Sequence, residues 1–458
     1  PVSRGVLGSW VRTRSLTIVQ SLWSQPRCHL QHEPKHISSK LARFCNSASS
    51  PTPLNPEDVP IMKGMRVIEL ANVLAGPSCG QFLCELGAEV IKVENTTTKG
   101  DVTRTWFIKA ESKDADSAYF CAVNSGKKSI ALDLKNEKGK QILYDIVKHS
   151  DVVLASYKPG DAEKLKVDAK TLMEINPRLI YAEITGYGQS VKRAGYDAII
   201  QAESGFQYMN GEPDSKPTKI PVALMDILTA HHLKEAILVN LWRRERTGKG
   251  GHVHASLLQS AISSLANQAT GYLLRDAVPQ RQGSDHPSIV PYGTVFMTAV
   301  DREPVVLAVG SDKQFANLCS VLGCPDLAAK GSKYETNFNR VKNREALKSI
   351  LSDKLKTWRR KELLHALAEL SVPAGAINDM KAVFEQDQAK DLVLSSETGE
   401  NIGLRQIAFT GGPEGVDNMI QLSKSPRYAQ HTVEILKTVA GYSEDKIETF
   451  QNEGIVDV

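Results

Sequence analysis

The 458 residues are 24% charged and 41% hydrophobic, with Gly 32 and Pro 21, a composition that fills a sizeable core and excludes collagen-like, mucin-like or wholly disordered chains. No stretch approaches the roughly 18 unbroken apolar residues of a membrane-spanning helix, so no membrane partner is expected. The formal charge of +4 is confined: residues 1–50 hold Arg4, Arg12, Arg14, Arg27, Lys35, Lys40 and Arg43 against the single acid Glu33, and the rest is slightly acidic, which gives no general attraction to nucleic acid.

That basic N-terminal segment also carries ten Ser, with Val11, Val19, Leu22 and Trp23 spaced loosely along one helical face. This is the composition of a mitochondrial presequence, and residues 1–55 are set apart from the fold on that basis, with delivery to the matrix expected. The blander alternative is a disordered basic tail. Beyond it, Met65–Leu70 reads as a buried strand, Ser78–Leu86 as a helix closed by Gly87, and Glu89–Val93 as the next strand. A second cycle follows: helix Gly139–His149, strand Val152–Ser156, helices Ala162–Lys166 and Ala169–Ile175, and strand Leu179–Ile184. Short strands alternating with helices predict an α/β fold, a Rossmann-like, doubly wound parallel sheet. Helices are predicted at Tyr196–Ser204, Ile227–Thr247 and Val253–Leu274. After a Pro- and Gly-rich loop, strands Thr294–Thr298 and Val305–Val309 precede helices Asp312–Leu322, Arg344–Lys356 and Arg360–Leu370, and the tail ends in helices His431–Val439 and Ser443–Glu453. Residues 281–385 therefore read as a smaller α+β domain.

Seven cysteines form neither a C-x-x-C pair nor a zinc quartet, and the adjacent His231 and His232 face different ways on a helix. No metal site is predicted. The first βαβ unit imitates a dinucleotide fingerprint but has no G-x-G-x-x-G, and Pro77 removes an N–H where pyrophosphate would need one. An NAD enzyme is disfavoured, although the turn could serve another nucleotide-bearing ligand.

The segments E-L-A-N-V-L-A-G-P-S (69–78), L-G-A-E-V-I-K-V-E (86–94), G-D-V-T-R-T-W (100–106), N-S-G-K-K-S-I-A-L-D-L-K (124–135), I-T-G-Y-G-Q (184–189), R-A-G-Y-D-A-I-I-Q-A-E-S-G (193–205), V-A-L-M-D (222–226), R-T-G-K-G (246–250) and H-P-S-I-V-P-Y-G (286–293) lie in order. Together they resemble class III CoA-transferases of the CaiB/BaiF type. The resemblance implies a large domain from residues 60–250 and 386–458, a linker helix at 251–280, the small domain, and a homodimer of interlocked rings. It implies coenzyme A thioesters and carboxylic acids as substrates, with no tightly bound cofactor, and places the catalytic nucleophile at Asp226. A carboxylate suits that role, since it can form an anhydride with an acyl group and then a thioester with CoA. Read from its surroundings alone, Asp226 is the N-cap of the helix Ile227–Thr247, where the helix terminus would keep it ionised.

For CoA, the resemblance implies Asn72, Val73, Leu74 and Ala75 in the first turn, Leu132, Lys135, Ser156, Tyr157 and Lys164. Tyr157 would pack on adenine, while Lys135 and Lys164 would meet phosphates, with Lys99 and Arg104 as alternative cations. Tyr196 and Asp197 are expected to position the substrate or intermediate, together with Ser284 and His286 in a loop that has one Gly where several relatives are Gly-rich. Two further readings stay open: an acyl-CoA racemase, against which stands a phenol at Tyr196 where racemases need a base, and a catalytically silent CoA-binding scaffold. Succinyl-CoA and a short dicarboxylate such as glutarate are the expected acid pair.

Overall fold

The computed structural model describes residues 60–113, 115–396, 398–409 and 421–458. The basic segment read as a presequence lies outside the described residues, as do Cys28 and Cys45. Seven strands form the main sheet: β1 (Arg66–Leu70), β2 (Glu89–Asn95), β3 (Lys128–Leu132), β4 (Val152–Ala155), β5 (Ile180–Thr185), β6 (Gly251–Ser256) and, from the far end of the chain, a short strand at Val456–Asp457. Across the sheet they run in the order Val456–Asp457, β3, β2, β1, β4, β5, β6; all neighbours are parallel except Val456–Asp457, which is antiparallel to β3.

The central strands are mostly apolar on both faces because both faces are covered. Val67, Val90, Val152, Leu154 and Ile180 point into one core, and their chain neighbours Ile68, Ile91, Val153 and Tyr181 into the other. The first core is closed by helix Ala75–Glu85 and by the long helix Leu224–Thr247, whose Leu233 and Ile237 are fully buried. Each such side chain contributes about 1.5–3 kcal/mol. Gly248, at φ +69, ends the long helix by donating its N–H to the Arg244 carbonyl.

A third core, from Val290 to Ala374, is separate. It packs helices Asp312–Val321, Arg344–Leu355 and Arg360–Glu369 on a three-stranded antiparallel sheet of β7 (Tyr292–Met297), β8 (Pro304–Ala308) and β9 (Ala374–Ala376). Among the described residues, no helix is long and apolar enough to cross a membrane.

Two expectations change. The helix predicted over Val253–Leu274 begins instead as β6, which pairs with β5 along its whole length, and then becomes two short helices, Leu257–Ser263 and Ala266–Arg275. The polar run G-H-V-H-A-S lacks the apolar face of a central strand because β6 is the sheet's edge. The second change is β3 (K-S-I-A-L), a strand the sequence reading passes over, whose Lys128 leans out to Glu89 and Glu434.

Candidate active site

Strands β1 and β4 lie side by side while the chain winds away from them in opposite directions, so a crevice opens beyond their carboxyl ends. The turn after β1 forms one wall. Its Asn72 N–H donates to Ser156 Oγ at the end of β4 (3.1 Å), and its Val73 N–H donates to Asp101 Oδ2 (3.2 Å). Gly76 has no alternative, because a Cβ there would lie 2.3 Å from the Cβ of Ala71. The opposite wall joins the two Gly-Tyr motifs: Gly186 and Gly195 approach so closely that a Cβ on Gly186 would lie 2.6 Å from the Gly195 Cα.

The crevice, of 190 Å³, is lined by Asn72, Val73, Ala75, Ser156, Tyr157, Tyr196, Asp197 and Asp226 from among the predicted residues, and also by Lys158 and Arg193, which sequence reasoning missed. Arg193 is paired with Glu203 (2.6 Å) and lies over the Tyr187 ring. A larger cavity of 1520 Å³, bordered by Glu111, Phe384 and Tyr428, holds none of the predicted site residues.

Asp226 sits otherwise than its local sequence implies. The helix starts at Leu224, so Asp226 is its third residue and Ala223 is an N-cap without a side-chain bond. The cap comes from elsewhere in the chain: Asp197 Oδ1 accepts the Met225 N–H (2.9 Å). The fully buried Gln201 fixes Asp197 in turn, donating to its Oδ2 (2.7 Å) and accepting the Ile220 N–H (2.8 Å). Among the described residues no hydrogen bond engages the Asp226 carboxylate, and burial, then the charge of Asp197, pushes it up to about 7. The expectation that the helix terminus keeps it ionised is therefore corrected. Desolvation outweighs the terminal dipole, whose effect is about 0.3–1 kcal/mol at exposed sites. Tyr119, also unforeseen, belongs to the same electrostatic neighbourhood: burial, then Asp226, Asp197 and Asp101, pushes its phenol up to about 12, and its ring meets Trp106 edge-on at 5.1 Å.

Other predicted residues lie off the crevice. Lys164 is exposed and paired with Asp161 (2.8 Å), Lys135 is exposed beyond β3, and Leu132 is buried in the sheet's second core. Leu74 is the N-cap of helix Ala75–Glu85 and does not line the crevice. Of the alternative cations, Lys99 pairs with Asp457 (2.8 Å) and Arg104 is buried against Glu94 and Asp116, and neither lines the crevice. Ser284 is exposed, and His286 is held on the small domain, accepting the Ser288 N–H at Nδ1 (3.1 Å) and meeting the Tyr292 ring at 5.4 Å. Neither reaches the Asp226 crevice. Tyr157, by contrast, lines the crevice and also packs against the second core, with burial pushing its phenol up to about 12.

The sequence profile described as CoA-transferase family III matches residues 62–432. The chain belongs to that family. As a class III CoA-transferase it is an enzyme that takes CoA thioesters as substrates. It is 40% identical over 342 residues to a succinate–glutarate CoA-transferase of Agrobacterium fabrum, covering 73% of this chain and 84% of the relative. It is 36% identical over 404 residues to a succinyl-CoA:glutarate CoA-transferase of Homo sapiens, covering 86% of this chain and 90% of that one. A CaiB/BaiF family protein from Brucella suis superimposes with a TM-score of 0.73 at 40% identity, covering 82% of this chain and 99% of that one. The CoA-transferase fold is thus the α/β architecture described above.

Proposed function

We propose that this enzyme moves CoA from succinyl-CoA to a short dicarboxylate such as glutarate, with Asp226 as nucleophile. The observation that carries the reading is a carboxylate without a hydrogen-bond partner among the described residues, facing the crevice that the family motifs line. The names of the relatives from Agrobacterium fabrum and Homo sapiens support the acid pair. Asp226 attacks the thioester carbonyl and expels CoA thiolate, leaving an aspartyl–succinyl anhydride. The thiolate attacks the aspartyl carbonyl and releases succinate, which leaves an aspartyl-CoA thioester. Glutarate attacks that carbonyl, expelling the thiolate again, and the thiolate takes the glutaryl group from the new anhydride to give glutaryl-CoA and free Asp226. Each step passes through an oxyanion. Ala75 and Gly76, the first residues of their helix, line the crevice where helix-terminal N–H donors are wanted.

Asn72, Val73, Ala75, Ser156 and Tyr157 are the CoA contacts this crevice favours, with Lys158 and Arg193 as its cations in place of Lys135 and Lys164. Racemisation is disfavoured. The lining contains no histidine, and the second carboxylate, Asp197, has both oxygens engaged. A panel of acceptor acids assayed with succinyl-CoA should give its highest kcat/KM with four- to six-carbon dicarboxylates. Equal rates with monocarboxylates would remove the dicarboxylate assignment.

The same reading makes the enzyme a homodimer. Val239 and Trp242 on the long helix and Tyr272, Leu273 and Leu274 on helix Ala266–Arg275 are all more than half exposed, an apolar surface that a second copy would cover. Light scattering should return twice the subunit mass, and Leu273→Asp should shift the enzyme toward monomer. A wild-type monomer would refute the assignment. The basic, acid-poor segment 1–50 supports import into the mitochondrial matrix; fusing residues 1–55 to a fluorescent protein tests it, and cytosolic fluorescence would count against it.

A further inference from the structure

Beneath the turn that follows β1 lies a charge network that the proposed reaction does not use. Glu69, Lys92, Asp101 and Lys127 are each at most 2% exposed. Burying four charges is costly unless every one is paired and hydrogen-bonded, and here each is. Lys92 Nζ donates to Glu69 Oε1 (3.0 Å) and to the Ala71 carbonyl (3.0 Å), and pairs with Asp101 Oδ2 (2.9 Å). Lys127 Nζ reaches Glu69 Oε2 (2.7 Å), Asn124 Oδ1 (2.9 Å) and the Pro77 carbonyl (2.9 Å). Asp101 Oδ2 accepts the Val73 N–H (3.2 Å), while its Oδ1 accepts the Thr103 N–H (3.0 Å) and hydroxyl (2.8 Å). Three backbone groups, two in the turn at residues 71 and 73 and one in the first turn of the following helix at residue 77, are therefore gripped by buried ionic side chains.

The residue at the middle of that grip is conformationally unfavourable. Val73 has φ +72, in the left-handed region where a β-branched side chain is a steric outlier. Such a conformation persists only where its surroundings over-determine it, and it lies in the wall of the crevice that holds Asp226.

We propose that Asp101, seated by Lys92, is a positioning residue for the acyl-CoA site: it holds the Val73 peptide left-handed so that Asn72–Ala75 present a fixed wall to the ligand. The inference rests on the reading of this crevice as the CoA site. It deepens that reading by assigning the shape of the wall to a residue that does not itself line it.

The test compares Asp101→Ala, Val73→Gly and the double variant Asp101→Ala/Val73→Gly. Losing a charge-assisted hydrogen bond should raise KM for succinyl-CoA by roughly ten- to a hundredfold in Asp101→Ala, with a smaller change in kcat. Glycine adopts φ +72 without a steric penalty, so the double variant should recover most of that KM loss even though its melting temperature stays low. A residue that merely staples the sheet would lower the melting temperature and leave KM unchanged below it, and glycine would restore nothing; either result overturns the proposal. Should Asp101→Ala fail to fold, Asp101→Asn keeps an acceptor oxygen but loses the charge that Lys92 seats, so a smaller rise in KM, reversed by adding Val73→Gly, is expected, and an unchanged KM overturns the proposal. Amide hydrogen exchange separates the two levels of inference, because it needs no ligand. Exchange at Val73 should accelerate in Asp101→Ala whether or not the crevice takes CoA, and unchanged exchange there would overturn the clamp. A wild-type enzyme without saturable dependence on succinyl-CoA would instead overturn the reading of the site.

Discussion

Asp226→Ala should lower acid-dependent CoA exchange by roughly four orders of magnitude or more, because the proposed cycle has no second route to the anhydride once its nucleophile is gone. Binding of CoA should persist, since the wall formed by Asn72, Val73, Ala75, Ser156 and Tyr157 does not depend on that carboxylate. In the wild type, succinyl-CoA with hydroxylamine should convert Asp226 to the hydroxamate, which peptide mass spectrometry would locate. Full turnover with an unmodified Asp226 would end the scheme. Stability offers an independent check. A carboxyl raised to about 7 in the folded state and near 4 when unfolded costs the folded state progressively more as pH rises from about 4 to about 7. The alanine variant should thus be the more stable protein at pH 8, by about 1–2 kcal/mol once the partial solvent access of Asp226 is allowed for. An inactive but more stable variant would exclude unfolding as the cause of inactivity.

What the sequence reveals follows the range of the interactions. The buried strands β1, β2, β4 and β5 are legible because short, mostly apolar segments rich in Val and Ile and bounded by turns have one good solution, a sheet covered on both faces. Strand β6 is not legible, because an edge strand shares its polar composition with a surface helix; its pairing with β5 is a contact across about 70 positions of chain. Asp226 is singled out as a candidate through the order of nine motifs, whereas its protonation is not legible there. The local pattern V-A-L-M-D-I-L shows an acid at a helix start, which argues for ionisation, while the desolvation and the neighbouring Asp197 that decide the matter come from tertiary packing. The same limit applies to Tyr119 and Arg193, and to Lys135 and Lys164, which share a charge with phosphate ligands but stand outside the crevice.

Asp197 performs two tasks that a single isosteric change can separate. Its Oδ1 caps the helix that carries Asp226, and its charge helps to keep Asp226 protonated. In the proposed cycle only the ionised Asp226 attacks, so kcat/KM for succinyl-CoA should rise with pH through a limb centred at about 7. Asp197→Asn retains an oxygen for the Met225 N–H but removes the charge, so the limb should move to lower pH. Burial is the larger cause of the shift, however, so the limb should stay well above an ordinary carboxylate. The displacement should raise activity at pH 6 several-fold relative to the variant's own plateau. The plateau should itself fall modestly, because a less basic carboxylate is a weaker nucleophile. Asp197→Ala loses both the cap and the charge. It should show the same displaced limb together with a cap loss of about 0.5–2 kcal/mol in stability. A limb that stays in place in both variants would show that Asp197 serves only as the cap. A limb that falls to the ordinary carboxylate range would show that the charge of Asp197, and not burial, sets the protonation of the nucleophile.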